Sequence, residues 1–418
     1  MTRASPNDTD MIRIFGRIGV LSFGGPAAQI ALMHRELVEI RPWLREDEFL
    51  RALSFCMLLP GPEAMQLATY AGWRLRGTPG GLIAGGLFVL PGAVIILALA
   101  AIYARFGNVP MIQALFLGVQ ATVVVIVFQA LLRLSRKALG GPVHRIVAAL
   151  SFTAIFVLGV PYPLIIAAAA LWGYLSAAGR APAPLRPVPA ARPLRTAAFW
   201  GGVWLAPIGG LVLFAPPVLV QMAVFFSKLA VVSIGGAYAV LAYMTQEVVL
   251  THGWLSTSQM VDALGLAETT PGPLILVTEF VGYLAGYREG GWTLGLAGAL
   301  VVLWVTFVPC FLWIFTGAPF IDRLAGMPRL SNALAAVTAA VVGVILNLSL
   351  WFALHVFFGT VRPWVAGPVS LPLPDPSTLN LAAVGLSAAA GGLLWRRLPL
   401  PLVLIVMAGL GAFVAGEV

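Results

Sequence analysis

Apolar residues run through this chain in stretches of about 20, separated by short polar loops that carry arginine, which is the pattern of helices long enough to cross a hydrocarbon core about 30 Å thick. Two of the first runs are interrupted at mid-length. Met11–Met33 contains Phe23-Gly24-Gly25-Pro26, and Phe49–Tyr70 contains Pro60-Gly61-Pro62. Proline removes a backbone donor and clashes with the preceding turn, so each run is predicted as two half-helices. A half such as Met11–Ser22 rises roughly 18 Å, enough to reach the bilayer midplane and no further. Continuous spans are expected at Leu82–Ala104 and Met111–Leu132, then a shorter pair, Ile146–Leu158 and Leu164–Ala178, around Pro161-Tyr162-Pro163. Gly179–Arg195, with five prolines and four arginines, reads as an extended solvated linker, and one unpaired span, Ala197–Leu219, follows it.

The order then repeats. Gly24-Gly25 returns as Gly235-Gly236 and Pro60-Gly61-Pro62 as Pro271-Gly272-Pro273, both after 211 residues, and Met33/Met244, Glu36/Glu247 and Trp43/Trp254 keep that spacing. Spans are expected at Trp292–Thr316, Leu334–Phe358, Leu379–Trp395 and Leu398–Val414, the last pair turning at Pro399-Leu400-Pro401. Three domains follow from this: a first transporter-type repeat over 11–178, a basic Pro-rich linker with an extra transmembrane helix over 179–220, and a second repeat over 221–416.

Arginine counts bear on orientation. If all 13 apolar runs crossed fully, His34–Arg51, with four arginines, would lie outside, and Thr245–Gln259, with no Lys or Arg, inside. That reverses the positive-inside bias. If the two broken runs of each repeat are re-entrant, nine crossings remain and the bias is restored. The single extra span then inverts one repeat relative to the other. The expected fold is therefore an all-α integral membrane protein of two inverted-topology repeats, each with two broken, re-entrant segments followed by four transmembrane helices, plus one linking helix.

Composition narrows the function. With 60% hydrophobic and 10% charged residues, the formal charge of +9 falls on loops where it sets topology, and nucleic-acid binding is not expected. Cys56 and Cys310 lie in apolar stretches without metal-like spacing, so neither a disulfide framework nor a metal site is expected. Met1–Asp10 is polar and mildly acidic, unlike a removable signal peptide. There is no Walker-type glycine loop, Gly-x-Ser-x-Gly or His-Glu-x-x-His, which leaves no cofactor and argues against a membrane-embedded enzyme.

The chemistry gathers at the breaks. Proline suits the first turn of a helix, so Pro26 and Pro62 read as starts of second half-helices, and Pro273 as the corresponding start in the second repeat. The residues after them, Ala27, Ala28, Glu63 and Ala64, with Ala237, Tyr238, Leu274 and Ile275 in the second repeat, would present unpaired backbone N–H groups and the positive end of a helix dipole. Such termini bind phosphate- and sulfate-like anions. The alternative is that Gly and Pro merely kink the helices. The candidate substrate-binding set is Ser22, Gly24, Gly25, Pro26 and Gln29 at the first break and Pro60, Gly61, Pro62, Glu63 and Gln66 at the second. Ser233, Gly235 and Gly236 supply the third break, and Thr270, Pro271, Gly272 and Pro273 the fourth. Lys228, one of two lysines in the chain, lies in an apolar run, where charge points to function or snorkels to the surface. Glu63 and Glu279 sit close to the Pro-Gly-Pro turns and suit either a proton-linked role or a structural pairing.

Ser22-Phe23-Gly24-Gly25-Pro26, Leu59-Pro60-Gly61-Pro62 leading to Gln66-Leu67-Ala68, Ile234-Gly235-Gly236, and Thr270-Pro271-Gly272-Pro273 with Phe280-Val281-Gly282-Tyr283 together resemble the long-chain type of the chromate ion transporter (CHR) family. Gln29 stands where members often carry histidine, and Ile234 where phenylalanine is usual. The resemblance implies a multi-pass protein of the bacterial inner membrane that exports chromate. Sulfate has the same shape and charge, so a sulfate or other oxyanion carrier or channel is the alternative. The oligomeric state stays open.

Overall fold

The computed structural model describes residues 6–107, 109–177, 193–234, 237–321, 327–367 and 369–416. Asn7 caps α1 (Asp8–Leu21), its side chain accepting the Asp10 N–H at 2.7 Å, and the apolar face Met11, Ile14, Phe15 and Ile18 is buried. The helix ends at Ser22, and α2 (Gly25–His34) restarts with Pro26 in its first turn. A π-helical turn, Arg35–Ile40, leads to α3 (Glu46–Cys56). The second break follows, and α4 (Glu63–Phe106) begins directly after Pro62. Both expected interruptions are present, each a pair of half-helices.

The first repeat continues with α5 (Pro110–Ala138), α6 (Pro142–Phe156) and α7 (Tyr162–Ser176). After residues 178–192, which lie outside the described set and hold most of the expected linker, come α8 (Pro193–Phe214) and α9 (Pro217–Val232). The expected linking span, Ala197–Leu219, thus ends early, because Pro216-Pro217 starts a new helix. The second repeat supplies α10 (Ala237–Gln246), a π-helical turn at Glu247–Thr251, α11 (Thr257–Thr269), α12 (Val277–Gly317), α13 (Pro328–Phe357), α14 (Leu381–Trp395) and α15 (Leu400–Gly416). The π-helical turns are equivalent: Arg41 N–H donates to Glu36 O at 3.3 Å, and His252 N–H to Glu247 O at 2.8 Å.

Neither α4 nor α12 is straight. In α4, Arg76 and Gly77 (φ +64°) leave helical dihedrals and the chain doubles back, bringing Gly72 so close to the Gly80 carbonyl that no Cβ fits between them. In α12 the same turn falls at Gly290 and Gly291 (φ +67°), with Gly286 against the Leu294 carbonyl. Small residues permit this close antiparallel packing. The turns at Gly77 and Gly291 are 214 residues apart, three more than the breaks, and the surplus is the 3₁₀ turn Leu274–Leu276. Leu274 and Ile275 therefore do not open an α-helix, as expected from sequence; they are buried in that turn and α12 starts at Val277.

The fold is helical as expected, with one small addition. Val361–Ala366 (β1) pairs antiparallel with Val369–Pro374 (β2), and Ser370 N–H anchors the hairpin on Val157 O at 2.9 Å. Val361, Trp364, Val365 and Val369 on either side of Gly367, which has positive φ, are a hairpin signal that the apolar-run reading passed over.

Glu63–Phe106, Pro110–Ala138, Pro193–Phe214, Leu274–Phe320 and Pro328–Phe357 are long and apolar enough to cross a membrane, and five shorter apolar helices accompany them. The helices gather in two compact units: residues 1–101, 179–237 and 270–328 in the first, and 102–178, 238–269 and 329–418 in the second. Each unit draws on both repeats. In the first, α8 and α9 pack along α12; in the second, α5 packs against α14 and α15 around Ala121, Leu386, Ala390, Val403 and Met407.

Candidate functional site

The first unit holds all four breaks, and three can be followed in detail; Gly235 and Gly236 lie outside the described residues. At the first, the end of α1 leaves the Ser22 carbonyl without a helical donor, and the Gly272 N–H supplies one at 2.9 Å. At the second, the Gly61 N–H donates to the Ser233 carbonyl, at the end of α9, at 3.1 Å. These are one interaction made twice, since Ser22 and Ser233, like Gly61 and Gly272, are 211 residues apart. Each Pro-Gly-Pro turn thus closes the half-helix end of the other repeat.

Glycine is required at both turns. Gly61 has φ +115° and Gly272 φ +92°, values that L side chains rarely adopt. A Cβ on Gly61 would stand 2.7 Å from Gln66 Nε2 and 3.0 Å from Cys310 Sγ; one on Gly272 would stand 3.1 Å from Leu276 Cδ1. The Pro271 carbonyl presses on Gly92 where a Cβ would be.

Two glutamines brace the turns. Gln29 Nε2 donates to Gly272 O at 2.7 Å and Ser22 O at 3.2 Å, joining the first and fourth breaks. Gln66 Nε2 donates to Pro60 O at 2.6 Å, while its buried Oε1 has no hydrogen-bond partner among the described residues. The serine hydroxyls face back into their own helices, Ser22 Oγ donating to Ile18 O at 2.6 Å and Ser233 Oγ to Ala230 O at 2.8 Å. What these serines give the cluster is their carbonyls, because the hydroxyl protons are already committed.

Accessibility differs between the copies. Gly24, Ala27 and Ala28 are exposed, no side chain caps α2, and Gly25, Pro26 and Pro60 to Glu63 are half-buried, whereas Thr270, Pro271, Gly272 and Pro273 are buried. Lys228 lies on α9 but is exposed. Glu279 is buried and, among the described residues, forms no ion pair and leaves Oε2 without a hydrogen-bond partner, so of the two readings the structural pairing is not seen there.

Sequence reasoning passed over two buried carboxylates of the second unit. Asp262, 5% exposed, accepts the Tyr103 hydroxyl and the Gln120 amide, each at 2.6 Å, and Glu268 accepts the Tyr238 hydroxyl at 2.8 Å. Both lie on α11, and an acidic residue within an otherwise apolar helix was the available signal. Among the described residues no group of three or more His, Cys, Asp or Glu side chains is arranged to hold a metal ion.

Apolar helices in number, two of them doubled back on themselves and four interrupted near their middles, define a multi-pass membrane protein built around irregular backbone. Residues 9–174 and 220–413 match the family described as Chromate transporter, and the chain belongs to that family. It is similar to the chromate transport protein of Cupriavidus metallidurans, 32% identical over 351 residues covering 80% of each chain. The chromate transport protein of Pseudomonas aeruginosa is also 32% identical, over 82% of this chain and 81% of the relative. The probable chromate transport protein of Synechococcus elongatus is 29% identical over 93% and 95%. No solved structure matches the chain.

Proposed function

We propose that the protein is a secondary transporter carrying a tetrahedral oxyanion, chromate by kinship, outward across the cytoplasmic membrane. The oxyanion is held by the half-helix N-termini at the interlocked breaks. The observation that carries this reading is the doubled bond, Gly61 N–H to Ser233 O and Gly272 N–H to Ser22 O, which puts the turns of both repeats into one cluster. Around it, the starts of α2 and α4 offer backbone N–H groups and dipole ends without a fixed full charge. The set comprises Ser22, Gly24, Gly25, Pro26, Gln29, Pro60, Gly61, Pro62, Glu63, Gln66, Ser233, Thr270, Pro271, Gly272 and Pro273. Gly235 and Gly236 are assigned by repeat equivalence, and Lys228 acts from the exposed side of α9.

Two ion pairs support the re-entrant arrangement. Arg76 pairs with Asp8 at 2.9 Å, and the neighbouring Arg74 pairs with Glu48. The start of α1, the start of α3 and the turn in α4 are thereby at one end of the first unit. Thirteen full crossings would put Glu48 a membrane's thickness from Arg74. In the second unit, one cavity of about 320 Å³ is lined by Phe156, Gly159, Gln246, Leu250, His355 and Ser370, which 13 crossings would divide between opposite faces. With nine crossings the repeats are inverted.

The energetics suffice without ATP. A dianion leaving a cell at 100 mV, inside negative, gains about 4.6 kcal/mol, twice the ~2.3 kcal/mol per charge. Everted membrane vesicles carrying the protein should accumulate chromate when the potential is imposed and stop when it is collapsed. Vesicles that instead concentrate sulfate and ignore chromate would reassign the substrate, and vesicles that move neither anion would refute the reading.

A further inference from the structure

The turn that joins α14 to α15 carries an arginine where the backbone calls for glycine. Arg397 N–H donates to Leu394 O at 3.0 Å and Leu398 N–H to Leu393 O at 3.4 Å, the bonding of a Schellman cap, and Arg397 takes φ +60°. Among the described residues it is the one non-glycine with positive φ. The first repeat makes the corresponding turn with Gly159, φ +62°, and Gly159 and Arg397 each stand two residues before the matched Pro161 and Pro399. Glycine therefore serves this turn, and an arginine kept there at the cost of backbone strain points to a use for its side chain.

Four other cations gather at the same end of the second unit. Ser387 Oγ donates to Ala121 O at 3.0 Å and Gly391 lies against Val125, so α14 runs beside α5 with a constant offset of 266 residues. That register puts Arg396 level with Ala130, and Arg136 and Lys137 lie roughly 10 Å further along α5. Arg145 follows on the first turn of α6. Arg136, Lys137, Arg145, Arg396 and Arg397 are all exposed, and none forms an ion pair or side-chain hydrogen bond with a described residue. Arg133, one turn back on α5, already has Glu268 within electrostatic reach. The described carboxylates of this unit lie elsewhere. Asp262 and Glu268 are buried on α11, bonded by Tyr103 and Tyr238, while Glu247 and Asp375 belong to the β-hairpin end, at the other end of α14. Beside the cations Trp395 is 87% exposed, and Phe128 and Leu132 are exposed too. Unpaired cations next to exposed aromatic and aliphatic side chains match the phosphate and the acyl chains of an anionic phospholipid.

We propose that Arg136, Lys137, Arg145, Arg396 and Arg397 form a headgroup site for anionic phospholipid. Nine or 13 crossings alike put this end on the face from which α1 starts, the cytoplasmic one in the transport reading above. Charge that served insertion alone would be idle in the folded protein, so the test uses purified full-length protein in neutral detergent. It is titrated with phosphatidylglycerol and with phosphatidylcholine of the same acyl chains, and binding is read by native mass spectrometry. Phosphatidylglycerol should bind at least about 10-fold tighter, and the preference should shrink in about 1 M salt. Arg397→Gly, which relieves the turn, should keep or raise the melting temperature yet weaken phosphatidylglycerol about fivefold, the worth of one basic residue near an anionic headgroup. Arg136→Gln with Lys137→Gln should weaken it about 25-fold and leave phosphatidylcholine unchanged. Arg362→Gln, on β1 at the opposite end, should bind as wild type, and inorganic phosphate should not displace the lipid. Equal affinity for the two lipids, or wild-type phosphatidylglycerol binding in the Arg397→Gly protein or in the double variant, overturns the site. Displacement by an equal concentration of inorganic phosphate overturns it as a lipid site.

Discussion

Gly61 and Gly77 both hold positive φ, at +115° and +64°, yet their surroundings separate the expected costs. At Gly77 a Cβ meets nothing within 4 Å, so Gly77→Ala carries only the penalty of a backbone conformation (φ +64°, ψ −156°) essentially confined to glycine, about 1–3 kcal/mol. At Gly61 the Cβ also displaces Gln66 Nε2, which is bonded to Pro60 O, and crowds Cys310. Gly61→Ala should therefore lower thermal stability in detergent more than Gly77→Ala does, by about 1–3 kcal/mol, the cost of stranding a buried polar group. Equal losses would show that the turn has slack. His34 offers a pH test. The Glu46 carboxylate bonded to its ring at 2.6 Å raises its pKa above the ordinary 6.5, with burial opposing and Glu39 assisting. A raised value stabilises the fold fully below pH 6.5 and fades as pH climbs through the folded-state value. The melting temperature of wild type should exceed that of His34→Gln at pH 5.5 and converge on it by about pH 8.5; a gap that widens with pH would contradict the pairing. The need for glycine at 61 and 272 was legible from Pro-Gly-Pro alone. Gln66 was placed at that turn by its nearness in the chain; Cys310 was not, because residues so far apart in sequence leave no local pattern.

At the scale of elements, the paired breaks and their repetition could be read directly, since proline and glycine act on their own turn of chain. The reversals inside α4 and α12 were also marked, by the run that ends at Tyr70 and the new spans that start at Leu82 and Trp292; what could not be read is how tightly they close, which depends on Gly72 fitting against Gly80 and Gly286 against Leu294. Gly72→Val and Gly286→Val should each open a hairpin and reduce membrane abundance severalfold, and normal abundance of both would refute close packing as its basis. The β-hairpin escaped notice because an apolar-run reading has no strand category. Topology is checked at this scale too. Cysteine at Glu46 should react with impermeant thiol reagent only from the cytoplasm and cysteine at Ser256 only from outside, whereas the reverse labelling would restore 13 crossings.

For the whole molecule, the repeats visible in the sequence and the compact units of the fold are different divisions of the chain. The unit that holds the breaks takes α1 to α3 and most of α4 from the first repeat and α9 and α12 from the second. If the oxyanion binds at the breaks as proposed, both repeats contribute to one site, within the first unit and not the second. Diffraction at the chromium absorption edge, from crystals grown with chromate, tests that claim most directly. The account predicts an anomalous peak within hydrogen-bonding reach of the backbone N–H groups at the starts of α2 and α4, beside the Gly61 and Gly272 turns. A peak confined to the second unit, with none at the breaks, would contradict it.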